Sequence, residues 1–101
     1  QALSRNNKIK LSEGMVLSNE PGYYEKNKFG IRIENLVFIK KFKNKLMFEN
    51  LTLAPIDKDL IELKMLTQNE KNYLLMYHLN IYSKLSEHLN KGERSWLASF
   101  I

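Results

Sequence analysis

One hairpin constrains this chain more than any other feature. The loop from Tyr23 to Phe29 joins the stretch Leu17-Ser18-Asn19-Glu20-Pro21-Gly22 to the stretch Gly30-Ile31-Arg32-Ile33-Glu34-Asn35. If the chain turns symmetrically about Asn27, Glu20 falls opposite Glu34 and Asn19 opposite Asn35. Directly opposed residues of antiparallel strands share a face, with Cβ atoms about 4.5–5.5 Å apart. Two like charges that close repel. The flanking apolar residues Met15, Val16, Leu17, Ile31, Ile33, Leu36 and Val37 imply partial desolvation as well, so a positive partner is expected between the carboxylates.

Three partners fit that requirement. Arg32 alternates with Ile33 and so shares the face of Glu34, but one guanidinium there neutralises only one carboxylate. A shared proton is the solution found where two acids crowd one site. A hard divalent cation such as Mn²⁺ or Mg²⁺ prefers oxygen ligands and suits bridging carboxylates. Against all three stands a plain arrangement in which both glutamates point to solvent on a half-exposed hairpin.

The same residues carry a family resemblance. Glu20-Pro21-Gly22-Tyr23-Tyr24, then Gly30-Ile31-Arg32-Ile33-Glu34-Asn35, resembles the C-terminal metal-ligand block of the Xaa-Pro aminopeptidases. Downstream, Leu51-Thr52-Leu53-Ala54-Pro55-Ile56-Asp57, Leu66-Thr67 and Tyr77-His78 resemble the C-terminal extension of the cytosolic-type members. The opening Ala2-Leu3-Ser4-Arg5-Asn6-Asn7 is similar to the stretch that follows a His-Glu-Gly-Pro motif in that family. Two spaced motifs and the tail blocks stand in the family's order.

The resemblance implies an α+β architecture: an antiparallel β-meander, part of a pita-bread sheet, followed by C-terminal helices, together a partial domain. It implies residues 1–56 as the C-terminal part of the catalytic domain and 57–101 as the helical extension. It also implies two divalent metal ions, usually Mn²⁺, held by two aspartates, one histidine and two glutamates in the complete domain. By motif position Glu20 is the first glutamate ligand, which also handles a proton, and Glu34 is the second, which bridges the ions. Arg32 and Tyr24 match positions that orient Glu34 and its neighbours. The implied reaction is hydrolysis of the bond between an N-terminal residue and a following proline, with water activated between the metals. The remaining ligands are expected upstream of residue 1. Methionine aminopeptidases share the fold but place the second glutamate much further downstream. Creatinase and the histone-chaperone relatives lack this ligand pair intact.

The rest of the chain bounds the reading. A chain of 101 residues beginning with Gln reads as one domain at most and as a piece of a longer polypeptide. The absence of cysteine excludes a disulfide framework and fits a cytoplasmic setting. No signal peptide and no apolar run of membrane-spanning length is present in the sequence. The net charge of +5 is concentrated in Lys40-Lys41-Phe42-Lys43-Asn44-Lys45 and scattered lysines elsewhere. That scatter makes nucleic acid a poor partner, and Lys-Asn-Lys between apolar runs reads as a solvated hairpin turn.

In chain order, Leu11-Ser12-Glu13-Gly14 turns into a first strand, about Met15 to Asn19, which Pro21-Gly22 breaks. A second strand runs roughly from Gly30 to Lys40, with Ile31, Ile33, Val37 and Ile39 on its apolar face and Arg32, Glu34, Leu36 and Phe38 opposite. A third spans Leu46 to Ala54, ended by Pro55. Asp59 to Leu63 is a short helical turn. Thr67-Gln68-Asn69-Glu70 is a capping box opening a helix to about Leu89, striped by Leu74, Tyr77, His78, Ile81, Leu85 and His88. Asn90-Lys91-Gly92 ends it, and a last helix, about Glu93 to Phe100, offers Trp96, Leu97 and Phe100 as anchors. His78 and His88 read as packed, hydrogen-bonded structural residues, and Tyr73, Tyr77 and Tyr82 as core or subunit interface.

The partners implied are therefore a peptide with proline in second position, the upstream part of the catalytic domain and a second copy of the chain. The competing reading is an inactive remnant or half-chain that serves only to assemble with an upstream chain. A membrane partner is not expected.

Overall fold

The computed structural model describes residues 3–101, so Ala2 of the opening segment lies outside the described residues. The chain divides into two compact units, one ending at Thr52 and one beginning at Leu53.

The first unit is all β. Its strands are β1 (Val16–Asn19), β2 (Gly22–Glu25), β3 (Phe29–Arg32), β4 (Asn35–Phe42) and β5 (Lys45–Asn50). One sheet has the order β1-β4-β5 and the other is the hairpin β2-β3, all antiparallel. The expected long second strand is thus two strands, β3 and β4, and the expected break at Pro21-Gly22 is short. Pro21 has no N–H to donate, yet its carbonyl accepts from the Ile33 N–H at 3.1 Å, so pairing resumes at Gly22. The loop expected from Tyr23 to Phe29 shrinks to Lys26-Asn27-Lys28, closed by a Lys28 N–H to Glu25 carbonyl bond of 3.1 Å. Asn27 takes φ 58°, a left-handed conformation that asparagine tolerates.

Two more turns set this unit's edges. Lys43 and Asn44 both have positive φ, 50° and 62°, between the paired residues Phe42 and Lys45. Two such residues make the mirror-image turn whose twist matches a hairpin, as the basic run leads one to expect. The third strand ends at Asn50 rather than Ala54, because the Thr52 hydroxyl replaces the ladder: its Oγ1 accepts from the Leu36 N–H at 2.8 Å. The core is Leu17, Val37 and Ile39, with Leu3 and Met15 against it. Leu17 lies directly opposite Val37, and Ile39 is two residues along the same face. Ile31 and Ile33, expected on that apolar face, are exposed.

The second unit is helical. Two single 3₁₀ turns, Lys58–Leu60 and Leu63–Met65, lead to α1 (Gln68–Leu85). The capping box forms as read: Glu70 N–H donates to Thr67 Oγ1 at 3.2 Å, and Thr67 N–H to Glu70 Oε2 at 2.8 Å. After a 3₁₀ turn at Ser86–His88 comes α2 (Lys91–Ala98). Asn90 does not end the first helix. It caps the second, accepting from Glu93 N–H at 2.9 Å while Glu93 Oε2 accepts from its own N–H at 2.8 Å. Tyr77, Ile81 and Leu97 form the core, with Leu53, Ile56, Tyr82, Leu85 and Leu89 packed around them. Ile81 is wholly buried. Trp96, expected as an anchor, is exposed and meets Phe100 edge-on at 5.0 Å.

Candidate functional site

The register of the first unit is unbroken across the gap between its two ladders. Asn19 pairs with Asn35 on one side and Gly22 with Arg32 on the other, and the Ile33-to-Pro21 bond lies between. Glu20 and Glu34 therefore occupy facing positions. Pairs alternate between hydrogen-bonded and non-hydrogen-bonded along such a ladder. Because Pro21/Ile33 is bonded, Glu20/Glu34 falls at the wider-bonded position, where Cα atoms approach to about 4.5 Å and side chains are closest.

Both carboxylates are solvent-exposed, which corrects the expected desolvation. The reason is local: the pair sits at the junction of two ladders, flanked by Ile31, Ile33 and Leu36, which are themselves exposed. Arg32 Nε lies 3.6 Å from Glu34 Oε2, with the two side chains 53% and 44% exposed. Such a wet pair holds orientation more than it stabilises, being worth at most about 1 kcal/mol. Glu20 has no ion-pair partner among the described residues. Thus, among the described residues, the guanidinium pairs with Glu34 and not with Glu20.

Two facing carboxylates are an oxygen donor set of the kind that hard divalent cations take. Among the described residues no group of three His, Cys, Asp or Glu comes together, so this chain brings two donors and no more. Tyr24 lies on the same hairpin, opposite Gly30, with its side chain exposed. Its neighbour Tyr23 points to the other face, where its hydroxyl donates to Glu25 Oε1 at 2.9 Å and its ring leans on Phe29.

Both histidines belong to the second unit. His78 is buried, its Nε2 accepting from the Ile56 N–H at 3.1 Å and its ring edge-on to Tyr77. That is the packed structural role read from the sequence. His88 differs from the reading: α1 ends before it, so it leaves the apolar stripe and lies exposed beside Glu87 at 3.3 Å. Tyr77 is core and its hydroxyl donates to the Ala54 carbonyl at 2.7 Å, Tyr82 is half-buried, and Tyr73 is exposed with its ring stacked on Tyr77. Sequence reasoning did not single out Gly22 and Gly30 as shaping residues, although two glycines flanking one tyrosine in paired strands is a legible signal of close approach.

Comparison with known proteins gives a consistent picture. Residues 1–41 match the family model described as metallopeptidase family M24, and residues 44–99 match the C-terminal region of peptidase M24. A probable Xaa-Pro aminopeptidase P of Pyrenophora teres f. teres is 42% identical over 91 residues, covering 82% of this chain and 14% of the relative. One from Botryotinia fuckeliana is 42% identical over 99 residues, covering 88% and 15%. The solved X-prolyl aminopeptidase of Caenorhabditis elegans, described as a cytosolic enzyme with a di-nuclear active site, superposes with a TM-score of 0.80. It is 35% identical and the match covers 95% of this chain and 17% of that one. The chain thus spans only about one sixth of the length of the proteins it matches. No described helix is long and apolar enough to cross a membrane.

Proposed function

The chain belongs to metallopeptidase family M24, and from that premise we propose that it is the C-terminal part of a metal-dependent Xaa-Pro aminopeptidase, which removes an N-terminal residue preceding proline. Its strands and helices are a portion of the pita-bread fold of such enzymes. The observation that carries the reading is the facing placement of Glu20 and Glu34 in a register that holds on both sides of them.

On this reading Glu20 and Glu34 each give carboxylate oxygens to a pair of divalent ions, Mn²⁺ by our reading, and the rest of the longer protein gives the other ligands. Support for two ions comes from the di-nuclear site of the nematode relative. The ions, when bound, supply Lewis acidity and lower the pKa of water. Glu20, without an ion-pair partner among the described residues, is the carboxylate able to take and return a proton during peptide hydrolysis. Glu34 is paired with Arg32, whose guanidinium lies beside one of its oxygens. Tyr24 offers a hydroxyl on the same face. Residues up to 56 belong to the catalytic domain and 57–101 to its helical extension, with the cytosol as the place of action and a second copy of the chain as a partner.

The experiment is made on the longer protein, with Xaa-Pro peptides as substrate. Glu20→Gln and Glu34→Gln are each expected to lower kcat/KM by more than about 100-fold, the upper range seen when residues that merely orient ligands are changed. A loss under tenfold in either variant overturns the assignment. The 101-residue chain alone, holding two carboxylates, is expected to give no turnover, and turnover abolished by Glu34→Gln would refute that.

A second reading, a half-chain that only assembles with an upstream chain, draws on the exposed Tyr23, Phe29, Ile31 and Ile33 of the β2–β3 hairpin. Contiguous apolar surface of this kind is normally covered by a partner. Intact ligands with normal turnover in the longer protein decide against it.

A further inference from the structure

We propose that Gly22 and Gly30 form a seat for the Tyr24 ring and so fix where its hydroxyl lies on the face that carries Glu20, Arg32 and Glu34. Pairing of Tyr24 with Gly30 and of Gly22 with Arg32 puts these four residues on one face, since alternate residues and directly opposed residues share a side. Both glycines lie under the ring. A Cβ on Gly30 would come within 2.5 Å of Tyr24 Cδ1 and 2.9 Å of Cε1. A Cβ on Gly22 would come within 2.6 Å of the tyrosine hydroxyl and 2.9 Å of Cε2 and Cζ.

The base of the ring therefore lies over Gly30 and its tip over Gly22, one step nearer the carboxylates. The side chain lies down along the hairpin instead of standing out into solvent. Neither glycine has φ in the left-handed region; among the described residues the glycine that does is Gly14. Conformational freedom is thus not what glycine provides at 22 and 30. Within strands glycine is less favourable than alanine, and two such costs on one face are offset by the close approach they permit. The outer side of Tyr24 is open, with the residue 63% exposed, so the seat beneath is what orients it. The two glycines are positioning residues acting through Tyr24. Their service to a metal centre rests on the function proposed above.

The two sites differ in how they would respond to a methyl group. At Gly22 the obstructing atoms are the far end of the ring, which can slide. At Gly30 they are its base, so Gly30→Ala must swing the whole ring away.

The test is proton NMR of the labelled chain. Ring currents from Tyr24 are expected to move the Hα signals of Gly22 and Gly30 upfield of ordinary glycine positions. Tyr24→Leu returns both, Tyr24→Phe keeps both, and Gly30→Ala returns Gly22 while cross-strand contacts between Tyr23 and Ile31 persist. Ordinary glycine shifts in the unmodified chain, or a Gly22 shift that survives Gly30→Ala, overturn the seat. Added Mn²⁺ is then expected to broaden the Tyr24 ring signals, and to do so less in Gly30→Ala although the signals of Glu20 and Glu34 broaden equally in both. Equal broadening of the ring overturns the positioning role. Absence of broadening at Glu20 and Glu34 in the longer protein, which supplies the other ligands, overturns the metal reading instead, and the glycine shifts still decide the seat.

Discussion

Replacing His78 by leucine tests how the helical unit holds the segment that enters it. Tyr77 and His78 sit side by side on α1 and reach two residues of the same segment, the Ala54 carbonyl at 2.7 Å and the Ile56 N–H at 3.1 Å. An Nε2 that accepts a hydrogen bond belongs to a neutral ring with its proton on Nδ1. His78→Leu keeps a side chain of similar bulk in a buried place but leaves the half-buried Ile56 N–H without its acceptor. Stranding such a donor costs about 1–3 kcal/mol. Tyr77→Phe takes away the donor itself and leaves only the carbonyl of Ala54, an exposed residue, without this partner, so its cost is expected at the low end of about 0.5–1.5 kcal/mol. Both bonds fix one segment, so the double variant should lose less than the two single losses combined. Urea unfolding of the 101-residue chain, followed by far-ultraviolet circular dichroism, reads all three. A His78→Leu chain as stable as the parent, or less affected than Tyr77→Phe, would refute the reasoning.

Other consequences are local and cheap to check. Asn27→Ala places a Cβ-bearing residue without local hydrogen-bonding capacity at φ 58° and is expected to cost about 1 kcal/mol in thermal unfolding, whereas Asn27→Gly should cost nothing measurable. Thr67→Ala and Asn90→Ala each remove a capping box and are expected to cost about 1 kcal/mol, read from urea midpoints. Leu17→Ala in the buried strand core should cost about 2–5 kcal/mol, while Val16→Ala, one residue away and facing solvent, should change stability far less. Breaking the half-exposed Lys40–Glu49 pair with Glu49→Gln should change stability by less than about 1 kcal/mol, and less still in high salt.

Much of this arrangement is legible in the residues because it depends on short-range rules. Asn27 at the centre of the hairpin sets a register that runs from Val16/Phe38 to Glu25/Phe29, and the facing of Glu20 and Glu34 follows from it. Thr67 and Glu70 announce the helix start by their spacing alone. What the residues do not disclose is coverage. Ile31 and Ile33 alternate like Val37 and Ile39, yet only the latter pair is buried, since period-2 alternation names a face without saying whether a layer lies over it. Asn90-Lys91-Gly92 is ambiguous for a different reason: asparagine and glycine suit both a helix end and a helix start, and Glu93 at the third position decides for the start. Trp96 misleads because size suggests an anchor, whereas in an eight-residue helix Leu97 is the residue turned inward. The seat beneath Tyr24 required the ring's position, which strand alternation leaves open.

The most direct test of the central claim is a Mn²⁺ titration of the chain followed by line broadening of its amide signals, repeated with Glu20→Gln and Glu34→Gln. The account predicts broadening centred on Glu20 and Glu34 that either substitution abolishes. Broadening that survives both substitutions, or that spreads evenly over the exposed acids such as Glu13 and Glu87, would contradict it.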